Sequence, residues 1–178
     1  HYTDNASRLQ TGDLLLIDAG SECDYYAADI TRTFPVSGRF SESQKLLYQL
    51  VLDAQLAAIE QVQPGTPWNC SHDIAIEVLT AGLVELGILT GVVSELIEQE
   101  AYKPYYMHRI GHWLGMDVHD VGDYKIDGQW RLLEAGMVLT IEPGLYIPEQ
   151  DTSVAPQWRG IGIRIEDDIL VTEKGCEV

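Results

Sequence analysis

Two strand-like runs near the start of the chain, each carrying an aspartate, constrain the fold more than any other stretch. Residues 14–19 and 25–34 flank a short polar segment, which is the pattern of a β-hairpin. A turn centred on Cys23 and Asp24 would place Asp18 directly opposite Asp29. Both carboxylates would then project from one face of the hairpin.

Two carboxylates placed opposite each other repel, so the hairpin requires something that offsets this repulsion. A shared proton, a basic neighbour such as Arg32, or bound divalent cations would each do so. A solvated acidic turn is the alternative. The metal hypothesis therefore depends on further ligands downstream.

The composition indicates one globular domain over residues 1–178, with 46% apolar residues and a formal net charge of −17. That charge argues against nucleic acid or an anionic membrane surface as a partner. No apolar run approaches the ~20 residues of a membrane span. Three widely spaced cysteines, Cys23, Cys70 and Cys176, favour a reducing, cytoplasmic compartment.

Helical periodicity follows the hairpin. Ser41 and Gln44 form a capping box for a helix that runs through Val62 and ends before Pro64. A second helix is predicted from Ser71 to near Gly87, with His72 on its solvated face. Its predicted inward residues are Ile74, Val78, Ala81 and Leu86. Ser94 is expected to cap a short third helix over residues 94–101.

The remainder of the chain has the pattern of strands and glycine-rich turns. Strands are predicted at residues 105–110, 137–141 and 160–171, with polar loops at 122–133 and 148–159. A hairpin, then helices, then several strands indicate an α+β domain. In it, helices pack on one side of a curved antiparallel sheet.

Histidines and glutamates supply the further ligand types. His108, His112 and His119 cluster in a glycine-interrupted segment, and Glu142 ends an apolar strand, where its burial would be costly without a partner. Alternation places Arg164, Glu166 and Asp168 on one face of another strand. Hydrogen-bonded histidines and a cross-strand charge network are the alternatives for these residues.

Taken together, Asp18, Asp29, Glu142 and Glu166 with one histidine form a carboxylate-rich set on separate strands. Oxygen ligands with one imidazole suit divalent manganese, cobalt or zinc. A pair of such ions would activate a water and polarise a carbonyl, which indicates hydrolysis.

Six ordered motifs covering nearly the whole chain closely resemble the bacterial Xaa-Pro aminopeptidase (aminopeptidase P) family. This is part of the M24 superfamily of methionine aminopeptidase, prolidase and creatinase. The motifs are Ile-Asp18-Ala-Gly, Ala-Asp29-Ile-Thr-Arg-Thr-Phe, His112-Trp-Leu-Gly, Val-His119-Asp, Thr-Ile-Glu142-Pro-Gly and Gly-Ile-Arg164-Ile-Glu166-Asp. The resemblance implies a pita-bread fold and a metallopeptidase catalytic domain.

The resemblance also implies a role for each site residue. Asp18 is expected to bind one metal in bidentate fashion, and Asp29 and Glu166 to bridge two. The remaining implied ligands are His112 and Glu142. In this family, a hydroxide that bridges the two metals attacks the substrate carbonyl. The resemblance further implies that Glu142 shuttles a proton to the leaving nitrogen and that His119 donates to the oxyanion. It places His1, His108 and His119 at the substrate, with Arg164 supporting the carboxylates.

The resemblance implies hydrolysis of the bond between an amino-terminal residue and a following proline. It also implies two divalent metal ions as cofactors, with manganese as the favoured metal and cobalt or zinc as alternatives. Family members carry a separate amino-terminal domain, so a chain that opens at His1 is expected to be an amino-terminally truncated fragment. The full-length protein is expected to be a homo-oligomer. The alternatives are a prolidase-type Xaa-Pro dipeptidase and a catalytically silent pita-bread binding module.

Overall fold

The structure is a computed structural model that describes residues 4–178. Three α-helices, α1 to α3, span Glu42–Glu60, Cys70–Glu85 and Val93–Glu98. Within the described range no helix combines the length and apolarity needed to cross a bilayer.

The capping box predicted for α1 is confirmed. The Ser41 hydroxyl accepts a hydrogen bond from the backbone N–H of Gln44, whose side chain accepts one from the Ser41 N–H. The cap predicted for α3 is wrong, because α3 begins at Val93 after Val92 and no side chain caps it. Ser94 instead lies exposed within the first turn.

The inward face predicted for α2 is confirmed only in part, since Ile74, Val78 and Leu86 pack against the buried clusters. Ile74, Val78 and Leu86 are only half-buried and Ala81 is exposed. The buried apolar residues of α2 are instead Ala75, Ile76, Leu79 and Leu83. This helix is apolar on most of its circumference, so its own period does not select a face. Packing against α1 decides it.

His72, predicted to be solvated, is buried in the structure. Its Nδ1 lies 3.4 Å from the hydroxyl of Tyr106, whose ring is also buried. Burial lowers the pKa of His72 to about 4, with the charges of Arg109 and His108 acting in the same direction. The imidazole is therefore neutral at physiological pH.

Eleven short strands in the described residues pair only in antiparallel fashion. In chain order, β1 to β11 span Leu14–Ala19, Glu22–Cys23, Tyr26–Ala27, Ile30–Pro35, Lys125–Ile126, Gln129–Trp130, Val138–Ile141, Gly144–Tyr146, Gly162–Arg164, Asp167–Thr172 and Gly175–Glu177. β1 pairs with β4, β8 with β9, and β10 lies between β7 and β11. An isolated bridge between Thr31 and Glu166 connects the first of these sheets to the others.

Three predicted segments differ from the structure in form. Residues 105–110 are not a strand; the chain turns at Tyr105 and then runs irregularly. It nevertheless lies beside β7, since the N–H of Glu142 donates to the carbonyl of Ile110 at 2.7 Å. The predicted strand over residues 160–171 is interrupted between β9 and β10. The predicted loop over residues 122–133 contains the small β5–β6 hairpin.

The first hairpin has a different register from the predicted one. Asp18 pairs with Thr31, and the turn is centred on Asp24 and Tyr25, which both have positive φ, 50° and 66°. Two positive φ values are typical of a type I′ turn, whose twist matches that of paired strands. Gly20 lets the two arms of the hairpin approach each other closely after β1, because a Cβ there would lie 1.6 Å from the carbonyl oxygen of Ala28.

The shift of register leaves Asp29 just before β4 and diagonal to Asp18, not directly opposite it. A displacement of two residues along a strand preserves the face. The two carboxylates therefore still share one side of the hairpin.

The helices α1 and α2 cover the sheets on one side, as the predicted α+β class requires. One buried cluster joins them to β8 and β9, through residues such as Leu47, Leu79 and Ile163. A second joins the end of α1 to β7 and β10, through Ala58, Leu139 and Ile169. The ligand-type residues consequently project from the opposite side of the sheets.

We expect Ser41→Ala to lower the free energy of unfolding by about 1 kcal/mol, because it removes the hydroxyl that accepts from the N–H of Gln44. Ser94→Ala is the matched control. Since Ser94 caps nothing, its substitution should change stability by less than about 0.5 kcal/mol. Chemical denaturation of both variants measures the difference, and equal effects would contradict the capping assignment.

Candidate metal centre

Five ligand-type residues from five segments converge at one place. Their side chains come from the end of β1, the residue before β4, the extended segment beside β7, the residue after β7 and the junction of β9 and β10. In that order they are Asp18, Asp29, His112, Glu142 and Glu166. Four of them lie at or next to a strand end or in a strand break, and the carbonyl of His112 accepts the N–H of Thr140 in β7 at 3.0 Å.

The donor atoms form overlapping groups. In one, single atoms of Asp18, Asp29 and Glu166 lie within 4.8 Å of one another; in another, atoms of His112, Glu142 and Glu166 do. The Nε2 of His112 is 3.4 Å from a carboxylate oxygen of Asp29 and 3.6 Å from one of Glu142. Glu166 belongs to both groups.

Glu166 is the most deeply buried member, with 1% of its surface exposed. The hydroxyl of Thr31 donates to its Oε2 at 2.5 Å, while its Oε1 is buried without a hydrogen-bond partner in residues 4–178. Burial, and after it the charge of Glu142, raise the pKa of Glu166 to about 8. A buried oxygen without a donor fits a cation ligand, and this residue set fits divalent metal ions.

Asp29 is held by its backbone as well as by its neighbours. Its N–H donates to both carboxylate oxygens of Asp168 at 3.2 Å. Burial, a hydrogen bond with Asp18 and the charge of Asp18 raise the pKa of Asp29, and the opposing effect of His112 leaves it at about 6. Without a cation, Asp29 therefore retains its proton to a higher pH than an ordinary aspartate.

Arg164 supports the opposite edge of the centre. Its guanidinium donates to Asp18 Oδ2 at 2.5 Å, to the hydroxyl of Thr31 at 3.2 Å and to the hydroxyl of Tyr146 at 3.2 Å. The Nε2 of His108 lies 2.9 Å from the same Tyr146 hydroxyl. Burial lowers the pKa of His108, so its imidazole is neutral near pH 7.

His119 lies exposed at the rim, with its ring centroid 4.3 Å from that of His112. One of its nitrogens falls within 4.8 Å of donor atoms of Asp29 and His112. The imidazole is thus close enough to face either a metal or a bound substrate. His1, also predicted at the site, lies outside the described residues.

Sequence reasoning missed three partners of these residues: Thr31, Tyr146 and Asp168, the last of which was placed on the right face but given no role. Thr31 had a detectable signal, because it alternates with Thr33 along β4 and both are buried polar residues. Tyr146 had none, since its partners His108 and Arg164 are distant in sequence.

The arrangement combines carboxylates, imidazoles and a hydrogen-bonded guanidinium at the strand ends of the sheets. Such a set can hold divalent cations, accept a proton at a carboxylate whose pKa is raised and donate a hydrogen bond from a rim histidine. Metal-assisted hydrolysis requires these functions.

Comparison with known proteins supports this chemistry. The sequence profile of metallopeptidase family M24 matches residues 1–173. Xaa-Pro aminopeptidase of Haemophilus influenzae is 57% identical over 178 residues, which are 100% of this chain and 41% of that protein. Its Escherichia coli counterpart is 52% identical over 177 residues, 99% and 40% of the two chains.

A solved structure of Pseudomonas aeruginosa aminopeptidase PepP matches with a TM-score of 0.99 at 60% identity, and covers 100% of this chain and 40% of that one. This likeness confirms the predicted pita-bread, aminopeptidase-like fold. The chain spans about 40% of the length of these relatives.

We expect the metal-free protein to lose stability as pH rises from about 5 to 8. The folded carboxyl of Glu166, with a pKa raised to about 8, retains a proton that the unfolded chain has already released. The unfolded state therefore binds fewer protons, and the free energy of unfolding falls with pH. Denaturation in EDTA at several pH values measures this slope.

Glu166→Gln should reduce that pH dependence, because the amide does not titrate, while the part due to Asp29, whose pKa is raised to about 6, remains. The control is Glu173→Gln at an exposed turn, which should retain the parental slope. A parental slope in Glu166→Gln would show that Glu166 is not the titrating group.

Proposed function

The chain belongs to metallopeptidase family M24, and we propose that it is the catalytic domain of a dinuclear Xaa-Pro aminopeptidase. In this proposal, two divalent ions bind at the centre and the bond between an amino-terminal residue and a following proline is hydrolysed. The observation that carries it is the convergence of Asp18, Asp29, His112 and Glu142 on Glu166, whose buried Oε1 has no hydrogen-bond partner among residues 4–178.

The overlapping donor groups support two ions better than one. Asp18 would bind one ion, Asp29 and Glu166 would bridge, and His112 and Glu142 would complete the second position. Membership of Glu166 in two groups is consistent with bridging. A set of four carboxylates and one imidazole favours manganese, with cobalt or zinc as alternatives.

When bound, the ions would supply Lewis-acid chemistry that activates a water and polarises the peptide carbonyl. Glu142 would hold the proton taken from that water and deliver it to the leaving proline nitrogen; burial raises its pKa, which favours this role. His119 at the rim would donate a hydrogen bond to the developing oxyanion. His108, held by Tyr146, would face the substrate and, with His1, orient it.

The substrate class rests on the relatives. Proteins that are 52% and 57% identical to this chain are named Xaa-Pro aminopeptidases, which supports peptides with proline at the second position. We assign residues 1–178 to one catalytic domain, whose substrate pocket Arg164 supports by holding Asp18.

Asp29→Asn should abolish binding of the ion pair and lower kcat/KM for an Ala-Pro-Ala peptide by about 1000-fold or more, because it removes a bridging charge. Elemental analysis after manganese reconstitution and peptide hydrolysis measure the two effects. Asp24→Asn is the control, since it makes the same change at an exposed turn of the same hairpin.

The peptide series separates the alternatives. Cleavage of Ala-Pro-Ala supports an aminopeptidase, whereas activity confined to the dipeptide Ala-Pro would identify a prolidase. Manganese binding without hydrolysis of either peptide would identify a binding module. Full turnover in Asp29→Asn would overturn the assignment of the centre.

His119→Ala should lower kcat by about 100- to 1000-fold and leave the metal content unchanged, because the rim imidazole stabilises the transition state. Steady-state kinetics and elemental analysis on one preparation measure both quantities. Since a nitrogen of His119 lies close to Asp29 and His112, the opposite result is informative. Loss of one ion would make His119 a ligand and refute its assigned role.

A further inference from the structure

Behind the centre, three side chains from three elements form a continuous hydrogen-bonded network, here called the Arg32 clamp. It consists of Arg32 on β4, Asp167 at the start of β10 and Gln55 on α1. The Nη2 of Arg32 donates to Asp167 Oδ1 at 2.6 Å, and the Nε2 of Gln55 donates to Asp167 Oδ2 at 2.9 Å. Both oxygens of the carboxylate are therefore occupied.

The clamp also binds the backbone of the ligand-bearing segments. The Nη1 of Arg32 donates to the carbonyl of Thr31 at 2.9 Å and to that of Glu166 at 2.6 Å. The Nε2 of Gln55 lies 3.4 Å from the carbonyl of Ile141, the residue before Glu142. The clamp thus holds one backbone carbonyl near each of three ligand-type carboxylates. These carbonyls belong to Thr31 near Asp29, to Glu166 itself, and to Ile141 before Glu142.

Glu166 is consequently held from two sides. On the face of the centre, the hydroxyl of Thr31 donates to its carboxylate. Arg32, the next residue of β4, faces away from the centre and donates to the carbonyl oxygen of Glu166. The carboxylate and the carbonyl of Glu166 are therefore both held by hydrogen bonds.

Backbone pairing is sparse at this point, and the Thr33 hydroxyl supplements it by accepting from the N–H of Arg164 at 3.2 Å and donating to its carbonyl at 3.0 Å. β4 meets the β9–β10 junction at an isolated bridge, in which the N–H of Glu166 donates to the carbonyl of Thr31 at 3.1 Å. A single bridge permits more relative movement than a continuous ladder. The guanidinium of Arg32 joins these same two carbonyls and so adds a second link between the strands at the bridge itself.

The Arg32–Asp167 ion pair of the clamp retains solvent contact, although Gln55 is buried. The Arg32 side chain is 38% exposed and that of Asp167 is 18% exposed. Ion pairs with this degree of solvent contact contribute little to folding stability. A planar, forked cation that reaches three acceptors is instead suited to fixing geometry.

We propose that the Arg32 clamp positions Glu166 and Glu142 and so sets the affinity of the centre for a pair of divalent ions. The proposal rests on the proposed function, and it assigns Arg32, Asp167 and Gln55 as positioning residues. Residues that orient metal ligands typically change metal affinity by about 10- to 100-fold when they are replaced.

Manganese titration of the metal-free protein, with any native flanking sequence retained, tests the proposal by calorimetry and electron paramagnetic resonance. Arg32→Met should weaken Mn²⁺ binding by about 10- to 100-fold and replace the signal of a spin-coupled pair with that of isolated Mn²⁺. Arg32→Lys should recover less than half of the loss in binding free energy, because an ammonium cannot reproduce the fork. Gln55→Leu should weaken binding in the same direction.

Two exposed residues provide matched controls: Arg39→Met removes one positive charge, and Gln49→Leu makes the same change on α1. Both should bind manganese as the parent does. Thermal unfolding of each metal-free variant identifies a temperature at which all are folded. If Arg32→Met does not fold, Arg32→Lys and Gln55→Leu decide the question.

Parental affinity and a spin-coupled signal in the folded clamp variants would overturn the inference while leaving the proposed function intact. Absence of manganese binding in the unsubstituted protein would overturn the proposed function, and the clamp inference with it. If Arg32→Met weakens manganese binding and Arg32→Lys restores it fully, the clamp acts only through its positive charge. That result would also contradict the proposal.

Discussion

The carboxylate of Glu166 is buried among other acidic groups, and the surrounding structure serves to hold it there. With 1% of its surface exposed, it retains a hydrogen bond from Thr31 at one oxygen and has no donor in residues 4–178 at the other. A buried anion in this state is costly unless it is protonated or ligated. The raised pKa of Glu166 in the metal-free protein expresses that cost.

Three consecutive acidic residues divide the task of building the centre. Glu166 faces the centre, Asp167 binds Arg32 and Gln55 behind it, and Asp168 accepts the N–H of Asp29. Strand geometry separates the role of Asp167 from those of its two neighbours, since successive side chains of a strand face opposite sides. A short run of like charges, which in isolation would favour a solvated loop, thereby links the sheet, the helix and the candidate ligands.

Proximity of the helices to the sheets gives the centre its rigidity. Gln55 of α1 is buried and reaches both Asp167 and the carbonyl of Ile141. The aromatic contacts of Tyr106 with His72 and His108 link α2 to the histidine segment. The cover that completes the hydrophobic core therefore also fixes the strand ends from which ligand-type side chains project.

Much of the site was predictable from the sequence because the chemistry is carried by residue types at strand ends. Paired acids, a histidine cluster and Glu142 after an apolar run are local patterns, and they indicated Asp18, Asp29, Glu142 and Glu166 with one histidine; the family resemblance selected His112. The same patterns placed a capping box at Ser41 and the helices beside the sheet. Local capping and alternation depend on neighbours only a few residues apart, so sequence reasoning finds them.

Tertiary packing alone decided the rest. The hairpin register shifted by two because Asp24 and Tyr25 adopt positive φ, which residue identities did not indicate. His72 is buried because α2, apolar on most sides, is oriented by its neighbours. Tyr146 and the Arg32 clamp connect residues more than a hundred positions apart or on different elements. The sequence by itself determined which chemical groups are present and on which element ends; only the three-dimensional packing determined their partners, since long-range hydrogen bonds leave no periodic signal in the chain.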